Sequence, residues 1–288
     1  MTIEADAYLT HEHIILSPSK EIIFRHSHDN GFFVSSHWHN AMEIIYIIKG
    51  QMEVQIEGKN CLYEEGSIAL VNSRLVHATK TTDENEILLI QIPFPLLKKY
   101  IPDIQRIAFD FDYFVKDAEK QKKVQHMKEL VDRMLLISNK HPDGETLLFN
   151  SLLFDLLYTL YHDFRKEQQL TYYRKHEKNL DRLEPVLEYI NRNYQSQISL
   201  AEIAGIISFQ PEYFCRFFKK NMGITYLQYL NEVRLSHIYN DLLTTEEPLY
   251  HLLELHGFQN YKVFRRMFYD KFGDTPGNIR KKMSPLKD

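Results

Sequence analysis

Residues 199–221 have the sequence SLAEIAGIISFQPEYFCRFFKKN, and this stretch decides the fold of the C-terminal part of the chain. Ser199 and Glu202 match a capping box, in which a serine and a glutamate three residues later satisfy backbone N–H groups at the start of a helix. Pro211 suits the first turn of a following helix, where a missing N–H leaves no hydrogen bond unmade. We therefore predict two short helices joined by a tight turn, which is the pattern of a helix-turn-helix unit.

A second copy of this pattern follows in residues 248–273, PLYHLLELHGFQNYKVFRRMFYDKFG, after a long helix predicted over about 225–243. Gly257 lies where the turn requires backbone freedom. Phe214 and Phe264 occupy equivalent inward positions of the two second helices, whose outward faces are basic. Arginine is the side chain best suited to bind guanine in the major groove. Two such units, each with an aromatic interior and a basic exterior, predict an all-helical DNA-binding domain.

Short strands, rather than helices, are predicted from about residue 10 to about residue 95. Segments 43–50 (EIIYIIKG), 51–58 (QMEVQIEG) and 86–92 (EILLIQI) are β-branched or alternating, and turn residues separate them. Strands at this short, even spacing predict a sandwich or a small barrel rather than a parallel βαβ sheet. The sequence contains no G-x-G-x-x-G, P-loop or G-x-S-x-G motif.

A cluster of metal-type side chains lies among these strands. His37, His39 and Glu43 share one face if they lie in a strand, because side chains alternate with a period of two. His77 is expected to join them from a neighbouring strand. Three imidazoles and one carboxylate would suit an octahedral Fe, Mn, Ni or Zn site. Trp38 lies between the two histidines, so the same alternation allows it to point away from them.

Two helices are predicted between the strands and the C-terminal domain. From about Ala118, apolar residues recur at helical spacing in a charged background, and a second, strongly apolar helix runs to about Asp163. Two interpretations remain open for this pair, which either packs on the strands or forms a subunit interface that shares part of the same surface. The polar stretch 165–179 is predicted to be the linker.

Composition limits the class of protein. The chain has 288 residues, of which 44% are apolar and 26% are charged, so it is expected to form folded cores rather than a disordered chain. The formal net charge is -4, and basic residues cluster in the C-terminal third. Cys61 and Cys215 form no metal-type or disulfide pattern. Without a signal peptide or a membrane helix, the expectation is a cytoplasmic protein with no membrane partner.

Residues 183–282 resemble the DNA-binding domain of the AraC/XylS family of bacterial transcription regulators. The resemblance runs through YINRNYQSQISLAEIA, YFCRFFKKNMGITYLQYLNEVRL, HGFQNYKVFRRMF and FGDTPGNIR. It implies two recognition helices that enter successive major grooves on one face of double-stranded DNA. Base or phosphate contacts are then expected from Glu212, Cys215, Arg216, Tyr261, Lys262, Arg265 and Arg266. Phosphate contacts are expected from Lys219, Lys220 and Lys271.

The first turn departs from the family pattern at two positions. Ser208 stands where the family usually has glycine, and Gln210 stands where it usually has an N-cap serine. Inside the cores, Ile238 and Leu253 stand where the family usually has alanine. We interpret these differences as repacking rather than as loss of function.

The spacing G-x5-H-x-H-x3-E-x6-G around His37, His39 and Glu43 resembles the first motif of cupin barrels, and the segment ending at His77 matches the second motif in part. Three interpretations of the cluster follow. In the favoured one, His37, His39, Glu43 and His77 hydrogen-bond a small-molecule effector, such as a sugar, with Trp38 stacking on it. The alternatives are a structural hydrogen-bond network and a bound metal, so no cofactor is assigned.

These inferences predict an α+β protein with four regions. They are a cupin-like effector-sensing β-barrel (1–115), a helical connector that pairs two protomers (116–164), a linker (165–179) and an all-α double helix-turn-helix domain (180–288). By resemblance, the function is ligand-responsive activation of a carbohydrate operon, by a homodimer that contacts RNA polymerase, and not catalysis. One alternative is a metal-dependent cupin oxygenase or isomerase fused to a DNA-binding domain. Another is a regulator without an effector.

Overall fold

The computed structural model describes residues 21–81 and 83–283 of the protein. Within them, the strands are β1 (Ile23–Asp29), β2 (Phe32–His37), β3 (Ala41–Lys49), β4 (Gln51–Ile56), β5 (Lys59–Glu64), β6 (Ile68–Val71), β7 (His77–Thr81), β8 (Asn85–Pro93), β9 (Ile107–Phe109) and β10 (Arg165–Glu167). The helices are α1 (Phe94–Tyr100), α2 (Ala118–Lys140), α3 (Glu145–Asp163), α4 (Leu170–Asn193), α5 (Leu200–Ile206), α6 (Pro211–Met222), α7 (Tyr226–Thr244), α8 (Leu249–Leu255), α9 (Tyr261–Phe272) and α10 (Pro276–Met283). None of the helices in this described part is long and apolar enough to cross a membrane.

Two four-stranded antiparallel sheets form the N-terminal domain. Their strand orders are β1-β8-β3-β6 and β2-β7-β4-β5. Ile45 and Ile47 of β3 are buried in one apolar cluster with Met52 and Val54 of β4, so the two sheets pack face to face. The strands predicted from about residue 10 to about residue 95 are confirmed from Ile23 onwards, and the part of that prediction before residue 21 lies outside the described residues. The predicted barrel is not closed, because no ladder in the described residues joins the two sheets into a ring. Strand β2 stays an edge strand, and helix α7 covers it instead of another strand.

The helix pair α2 and α3 packs on the outer face of the β1-β8-β3-β6 sheet. Ile44 and Leu88 of the sheet are buried in one cluster with Met127 of α2 and Leu156 of α3. The sheet is therefore covered on both faces, by the other sheet and by the helices. The first interpretation of this helix pair, packing on the strands, therefore holds for the face of the helices that carries Met127 and Leu156.

The predicted linker, residues 165–179, contains regular secondary structure. Strand β10 pairs antiparallel with β9, and the chain then enters the long helix α4. Leu183, Val186 and Ile190 of α4 are buried in the core of the first helix-turn-helix unit. The connection between the domains is thus a strand followed by a continuous helix rather than an irregular segment.

The C-terminal domain contains both predicted helix-turn-helix units, α5–α6 and α8–α9, with α7 between them. Ser199 caps α5 and forms the predicted capping box with Glu202. Gly257 turns the chain between α8 and α9 with a φ of 68°, and the equivalent turn of the first unit uses Ser208 with a φ of 56°. Ser208, at the position where the family usually has glycine, therefore adopts a left-handed backbone conformation, which strains the backbone of any residue with a Cβ.

Strand β2 of the N-terminal domain lies along α7 of the C-terminal domain. Phe33 is 1% exposed and is buried in the core of the second helix-turn-helix unit, where its ring makes an edge contact with Phe272 at 5.8 Å. Ser236 Oγ donates a 2.6 Å hydrogen bond to the carbonyl oxygen of Phe33. Ser36 Oγ donates to Glu232 Oε2 at 3.1 Å. The two domains therefore share a buried core and direct hydrogen bonds.

Candidate functional site

Three histidines and one glutamate converge where several strands begin or end. His37, the last residue of β2, lies directly opposite His77, the first residue of β7. Their ring centroids are 4.2 Å apart, and the ring of His39 is 5.0 Å from that of His77. One ring nitrogen from each histidine lies within 4.8 Å of those of the other two. Glu43 reaches the group from β3, so the structure brings together the four side chains that were expected to meet. His37, His39 and Glu43 do not share one strand as predicted, because β2 ends at His37, β3 begins at Ala41 and His39 lies between them.

Backbone carbonyl groups fix the orientation of all three imidazoles. Each Nδ1 lies within hydrogen-bond distance of a carbonyl oxygen two residues away: His37 with Ser35 at 2.9 Å, His39 with Ala41 at 3.0 Å, and His77 with Leu75 at 2.9 Å. A carbonyl oxygen only accepts hydrogen bonds, so each Nδ1 is the donor and carries the proton. In a neutral ring, Nε2 then has a free lone pair.

Glu43 is the anion of the cluster. Its carboxylate is buried, and Oε2 accepts a hydrogen bond from Gln91 Nε2 at 2.8 Å. The same oxygen lies 2.9 Å from His39 Nε2, which donates to it when the His39 ring is protonated. Oε1 lies 3.7 Å from His77 Nε2. Burial alone would raise the pKa of Glu43, but the hydrogen bond from His39 and the nearby imidazoles outweigh it and lower the pKa below its ordinary value. The cluster therefore contains a carboxylate at neutral pH.

The three histidines titrate differently. Burial lowers the pKa of His37, and the neighbouring His77 and His39 lower it further. Burial also lowers the pKa of His77, although Glu43 opposes that effect. For His39, burial is outweighed by the hydrogen bond to Glu43, and the pKa is raised. His37 and His77 are thus neutral at pH 7, with lone pairs available, while His39 forms an ion pair with Glu43 when it is protonated.

Trp38 is not brought together with the histidines. It packs, half-buried, against the core of the first helix-turn-helix unit, which is built on α4. Val76, next to His77 in sequence, is 8% exposed and lies in the same core. The proposed stacking of Trp38 on an effector beside the histidines therefore has no support in this geometry. Residues next to the histidines contact the C-terminal domain instead.

Arg74 strengthens this contact between the domains. Its guanidinium lies 2.8 Å from Asp181 Oδ1 and 3.6 Å from Glu177 Oε1, both on α4. The same group lies 5.8 Å from the centre of the Trp38 ring. Its backbone N–H donates to the carbonyl oxygen of His39 at 2.9 Å, which ties the two loops of the cluster together. Arg74 has a φ of 65°, the left-handed conformation for which glycine is the usual residue.

The outward faces of α6 and α9 are exposed. On α6 the exposed side chains include the predicted contacts Glu212, Cys215, Arg216, Lys219 and Lys220, while Phe214 and Phe218 are buried beneath them. On α9 they include Tyr261, Lys262, Arg265 and Arg266. The side chain of Asn260 caps α9 by accepting from the N–H groups of Lys262 and Val263. Helices α6 and α9 thus each expose three cationic side chains to solvent, while their phenylalanine side chains are buried in the core on the opposite face.

Two family models match the chain. Residues 18–157 match the AraC-like ligand binding domain, and residues 195–282 match a helix-turn-helix domain. The chain belongs to the AraC family. The first region contains the N-terminal domain described above, and the second contains the two helix-turn-helix units.

Several bacterial proteins are similar to this AraC-family protein. It is 22% identical over 242 residues to an uncharacterized HTH-type transcriptional regulator of Staphylococcus aureus strain COL, covering 84% of this chain but 31% of that protein. The chain therefore spans about a third of the length of that relative. It is 27% identical over 247 residues to LumQ of Photobacterium leiognathi, described as a probable transcriptional regulator, covering 83% and 89% of the two chains. Among solved structures, ToxT of Vibrio cholerae O395 matches 93% of this chain and 100% of its own, at 13% identity and a TM-score of 0.49.

Lys271 of this AraC-family protein is engaged by the N-terminal domain. Its Nζ lies 3.3 Å from Glu232 Oε1 and 4.4 Å from the centre of the Phe33 ring. Lys80 of the N-terminal domain donates to the carbonyl oxygen of Lys271 at 2.7 Å. A phosphate contact from Lys271 stays a prediction, and in this arrangement it would require the side chain to leave Glu232.

Two clefts adjoin the segments that connect the domains. One, of about 230 Å³, is lined by residues that include Met42, Asn72, Arg74, Phe109, Gln168 and Glu177. The other, of about 430 Å³, is lined by residues that include Val76, Lys175, Asn179, Lys220 and Asn221. A small molecule in either cleft would touch both domains of the AraC-family protein.

Several residues of the site were missed by sequence reasoning. Gln91, which binds Glu43, lies in strand β8 as the only polar side chain within the run ILLIQI, and that interruption was a usable signal. Arg74 stands where the second cupin motif, which the segment ending at His77 resembles in part, usually has glycine, and that departure was also a usable signal. Phe33 had no distinguishing signal, because a phenylalanine in a strand does not reveal which of two cores it enters.

Proposed function

We propose that this AraC-family protein is a ligand-responsive transcriptional regulator that binds double-stranded DNA through α6 and α9. The observation that carries the proposal is the pair of exposed basic faces on two buried-aromatic helices, each the second helix of a helix-turn-helix unit. In this motif the second helix enters the major groove. Arg265 and Arg266 on α9 and Arg216 on α6 are the side chains suited to guanine.

Selection of duplexes from a random pool, followed by affinity measurements, tests DNA binding without a known operator. Replacing Arg265 or Arg266 by alanine should lower specific affinity by about 1–3 kcal/mol, roughly 5- to 150-fold, if that side chain binds a base. The matched control is Arg133→Ala, which removes an exposed arginine from α2 in the N-terminal domain. Failure to select any duplex, or equal losses with Arg133→Ala, would contradict the proposal.

Salt dependence identifies the phosphate contacts. Each phosphate neutralised by Lys219 or Lys220 contributes about -0.9 to the slope of log affinity against log salt concentration. Replacing either lysine by alanine should therefore make that slope shallower by about one, and should weaken binding to selected and unselected duplexes alike. The same measurement on Lys271→Ala tells whether the lysine now bound to Glu232 reaches DNA in the complex.

A homodimer through α3 is the second element of the proposal. The side chains of Leu147, Phe154 and Tyr158 are 80%, 41% and 64% exposed, and with Ser151 they form one stripe at helical spacing on the face of α3 that turns away from the sheet. Large exposed apolar patches mark protein interfaces. A second copy of the chain fits this stripe best, because two-fold pairing lets the same apolar face cover itself. Pairing of two protomers would in turn place two DNA-binding domains on paired half-sites.

The nature of the effector and the direction of control rest on the family resemblance. A sugar effector, activation of a carbohydrate operon and contact with RNA polymerase stay predictions. The space between the sheets is filled by apolar side chains such as Ile45, Met52 and Val54, which suits a sugar poorly. The clefts between the domains offer mixed polar and apolar walls instead. A thermal-shift panel of mono- and disaccharides tests the sugar, since a ligand at about 100 times its dissociation constant adds about 2.7 kcal/mol of stability.

The alternative, a cupin oxygenase or isomerase with a DNA-binding tail, requires an organic substrate beside the histidine cluster. The apolar packing between the sheets and the contact of Trp38 with the C-terminal domain favour the regulator instead. A DNA-binding defect in the arginine variants, with no turnover of candidate substrates by the metal-loaded protein, would separate the two hypotheses.

A further inference from the structure

The two helix-turn-helix units meet directly at a contact that lies outside their recognition helices. Residues 194–197, which connect α4 to α5 in the first unit, lie against residues 256–259, which connect α8 to α9 in the second, and we call this contact the inter-unit seam. At Gly257 the two backbones approach so closely that a Cβ would overlap the carbonyl oxygen of Gln195. The units are therefore in backbone contact, in addition to being joined by α7.

His256 is the centre of the inter-unit seam. It is 4% exposed, and its Nε2 lies 2.7 Å from Oδ2 of Asp241 on α7. A carboxylate oxygen only accepts hydrogen bonds, so Nε2 carries the proton, and in a neutral ring Nδ1 is then an acceptor. The hydroxyl of Tyr194, at the end of α4, lies 3.2 Å from this Nδ1 and donates to it. Tyr194, His256 and Asp241 thus form a directed chain of hydrogen bonds from the first unit, through the second, to the helix between them.

Helix α7 also holds the end of α4 in place. The ring of His237 stacks on that of Tyr194, with 4.1 Å between the centroids and 3° between the planes, and it lies 5.5 Å from the ring of His256. The buried guanidinium of Arg234 donates from Nε to the carbonyl oxygen of Tyr194 and from Nη2 to that of Ser196, both at 2.7 Å. The end of α4 is thus fixed to α7, and the hydrogen bonds of His256 fix the second unit to both.

The inter-unit seam lies directly before the N-terminal end of α9. Gln197 Nε2 donates to Gln259 Oε1 at 2.9 Å, and the next residue, Asn260, caps the helix. The N-terminal residues of a recognition helix are those that contact base edges. The two units have separate apolar cores, so a shift at the seam would move Tyr261 and Lys262 relative to α6 without unfolding either unit.

Hydrogen bonds make the seam selective for one arrangement of the two units. They weaken steeply as the donor–acceptor angle departs from a straight line. The separation of two recognition helices must match the repeat of DNA, which is about 34–36 Å per turn. One added base pair moves the second DNA element by about 3.4 Å and rotates it by about 34–36°. An intact seam therefore fits one spacing of the two elements, and another spacing requires its hydrogen bonds to break.

We propose that Tyr194, His256 and Asp241 are positioning residues, which fix the angle between α6 and α9 and so make the protein select one spacing between the two elements of its operator. The inference rests on the proposed function, because it requires both α6 and α9 to bind DNA. It goes beyond that function by assigning specificity for spacing to side chains outside the recognition helices.

Spacing specificity is tested on a duplex selected from a random pool, with one or two base pairs added or removed between the elements that footprinting assigns to α6 and α9. The quantity measured is the ratio of the affinity for the selected spacing to the affinity for an altered spacing. Tyr194→Phe removes only a hydroxyl and keeps the stacked ring, and it should lower this ratio about 2- to 10-fold, the value of one buried hydrogen bond. His256→Phe removes both hydrogen bonds and should lower the ratio further.

Tyr226→Phe is the matched control. Tyr226 is also buried, and its hydroxyl donates to the carbonyl oxygen of Ile198 at 3.1 Å, but this bond stays within the first unit. A purely structural loss lowers the affinity for every spacing equally and leaves the ratio unchanged. Circular dichroism identifies the folded variants, and Tyr194→Phe decides the question if His256→Phe does not fold. The proposal is overturned if wild type does not distinguish the spacings, if the ratio is unchanged in the folded seam variants, or if Tyr226→Phe lowers it as much.

A measurement without DNA separates failure of this proposal from failure of the proposed function. Spin labels are attached at the exposed Cys215 of α6 and at Lys262→Cys of α9, in a Cys61→Ser background, and the labelled protein is diluted with unlabelled protein so that distances within one chain dominate. We expect a narrow distance distribution with an intact seam and a broader one in Tyr194→Phe and His256→Phe. Equally narrow distributions would overturn the positioning role. If wild type selects no duplex but the distribution broadens in the variants, the proposed function fails and the positioning of α9 stands.

Discussion

Replacing Phe33 by alanine should separate the two domains without unfolding either one. Phe33 is 1% exposed, and it belongs to β2 while packing in the core of the second helix-turn-helix unit. Truncating a buried phenylalanine typically costs about 3–5 kcal/mol. Because the lost contacts join the domains, that free energy is removed from docking, and about 3 kcal/mol raises the undocked fraction roughly 100-fold. Hydrogen exchange along α7 should accelerate accordingly, up to that factor.

The neighbouring residue supplies a matched control. Phe32 has the same side chain and is also buried, at 8% exposure, but it points into the cluster between the two sheets. Phe32→Ala should therefore destabilise the N-terminal domain by a similar amount and leave α7 protected at denaturant concentrations where that domain stays folded. Our account of the interface is refuted if α7 exchanges equally fast in wild type and Phe33→Ala, or if both variants expose α7 to the same extent.

Three further predictions concern self-association, pH and backbone strain. Leu147→Glu should convert the dimer to monomers in sedimentation velocity; an unchanged dimer would place the interface elsewhere. Burial, and to a smaller extent the neighbouring imidazole of His256, lowers the pKa of His237 from its ordinary 6.5 to about 4. The unfolded state therefore binds an extra proton at this residue below pH 6.5, and the contribution of His237 to stability falls by about 1–1.5 kcal/mol from pH 7.5 to 5.5. In urea unfolding curves His237→Gln should make the loss of stability over this range smaller by that amount and leave the contributions of His37 and His77. Ser208→Gly should stabilise the protein by about 0.5–1 kcal/mol, since it removes left-handed strain. Gly257→Ala should destabilise it by about 2–5 kcal/mol, because a Cβ would overlap the Gln195 carbonyl oxygen; a melt that ranks the two variants otherwise would contradict the strain argument.

Local signals in the sequence were sufficient for the C-terminal helices. Ser199 with Glu202, Pro211 and Gly257 each specify a helix start or a turn within a few residues of themselves, and all lie where they were expected. Strand pairing depends on contacts between residues that are distant in sequence, such as those of β1 with β8, and a short sequence motif therefore does not predict it. The cupin-like spacing around His37 therefore predicted the cluster of side chains but also a barrel, which the strands of the described residues do not close.

The contact between the domains was the feature least accessible to sequence analysis. Its apolar residues have the same composition as any core, and its charged residues look like solvated surface. Lys271 illustrates the difficulty, because a basic residue at the end of a recognition helix is expected at DNA, whereas here it lies over Phe33 and beside Glu232. Only the packing of one domain against the other distinguishes these roles.

A β-bulge in β2 explains how one strand serves both the histidine cluster and the C-terminal domain. Before the bulge, Phe33 faces α7; if strict alternation continued, His37 would face the same side. The register shifts between Val34 and His37, which inserts one extra residue and inverts the alternation. Ser36 then faces Glu232, His37 turns towards His77, and the next residue, Trp38, faces α4. Deleting one residue from this bulge would turn His37 away from His77, so the position of the bulge couples the cluster to the docked C-terminal domain.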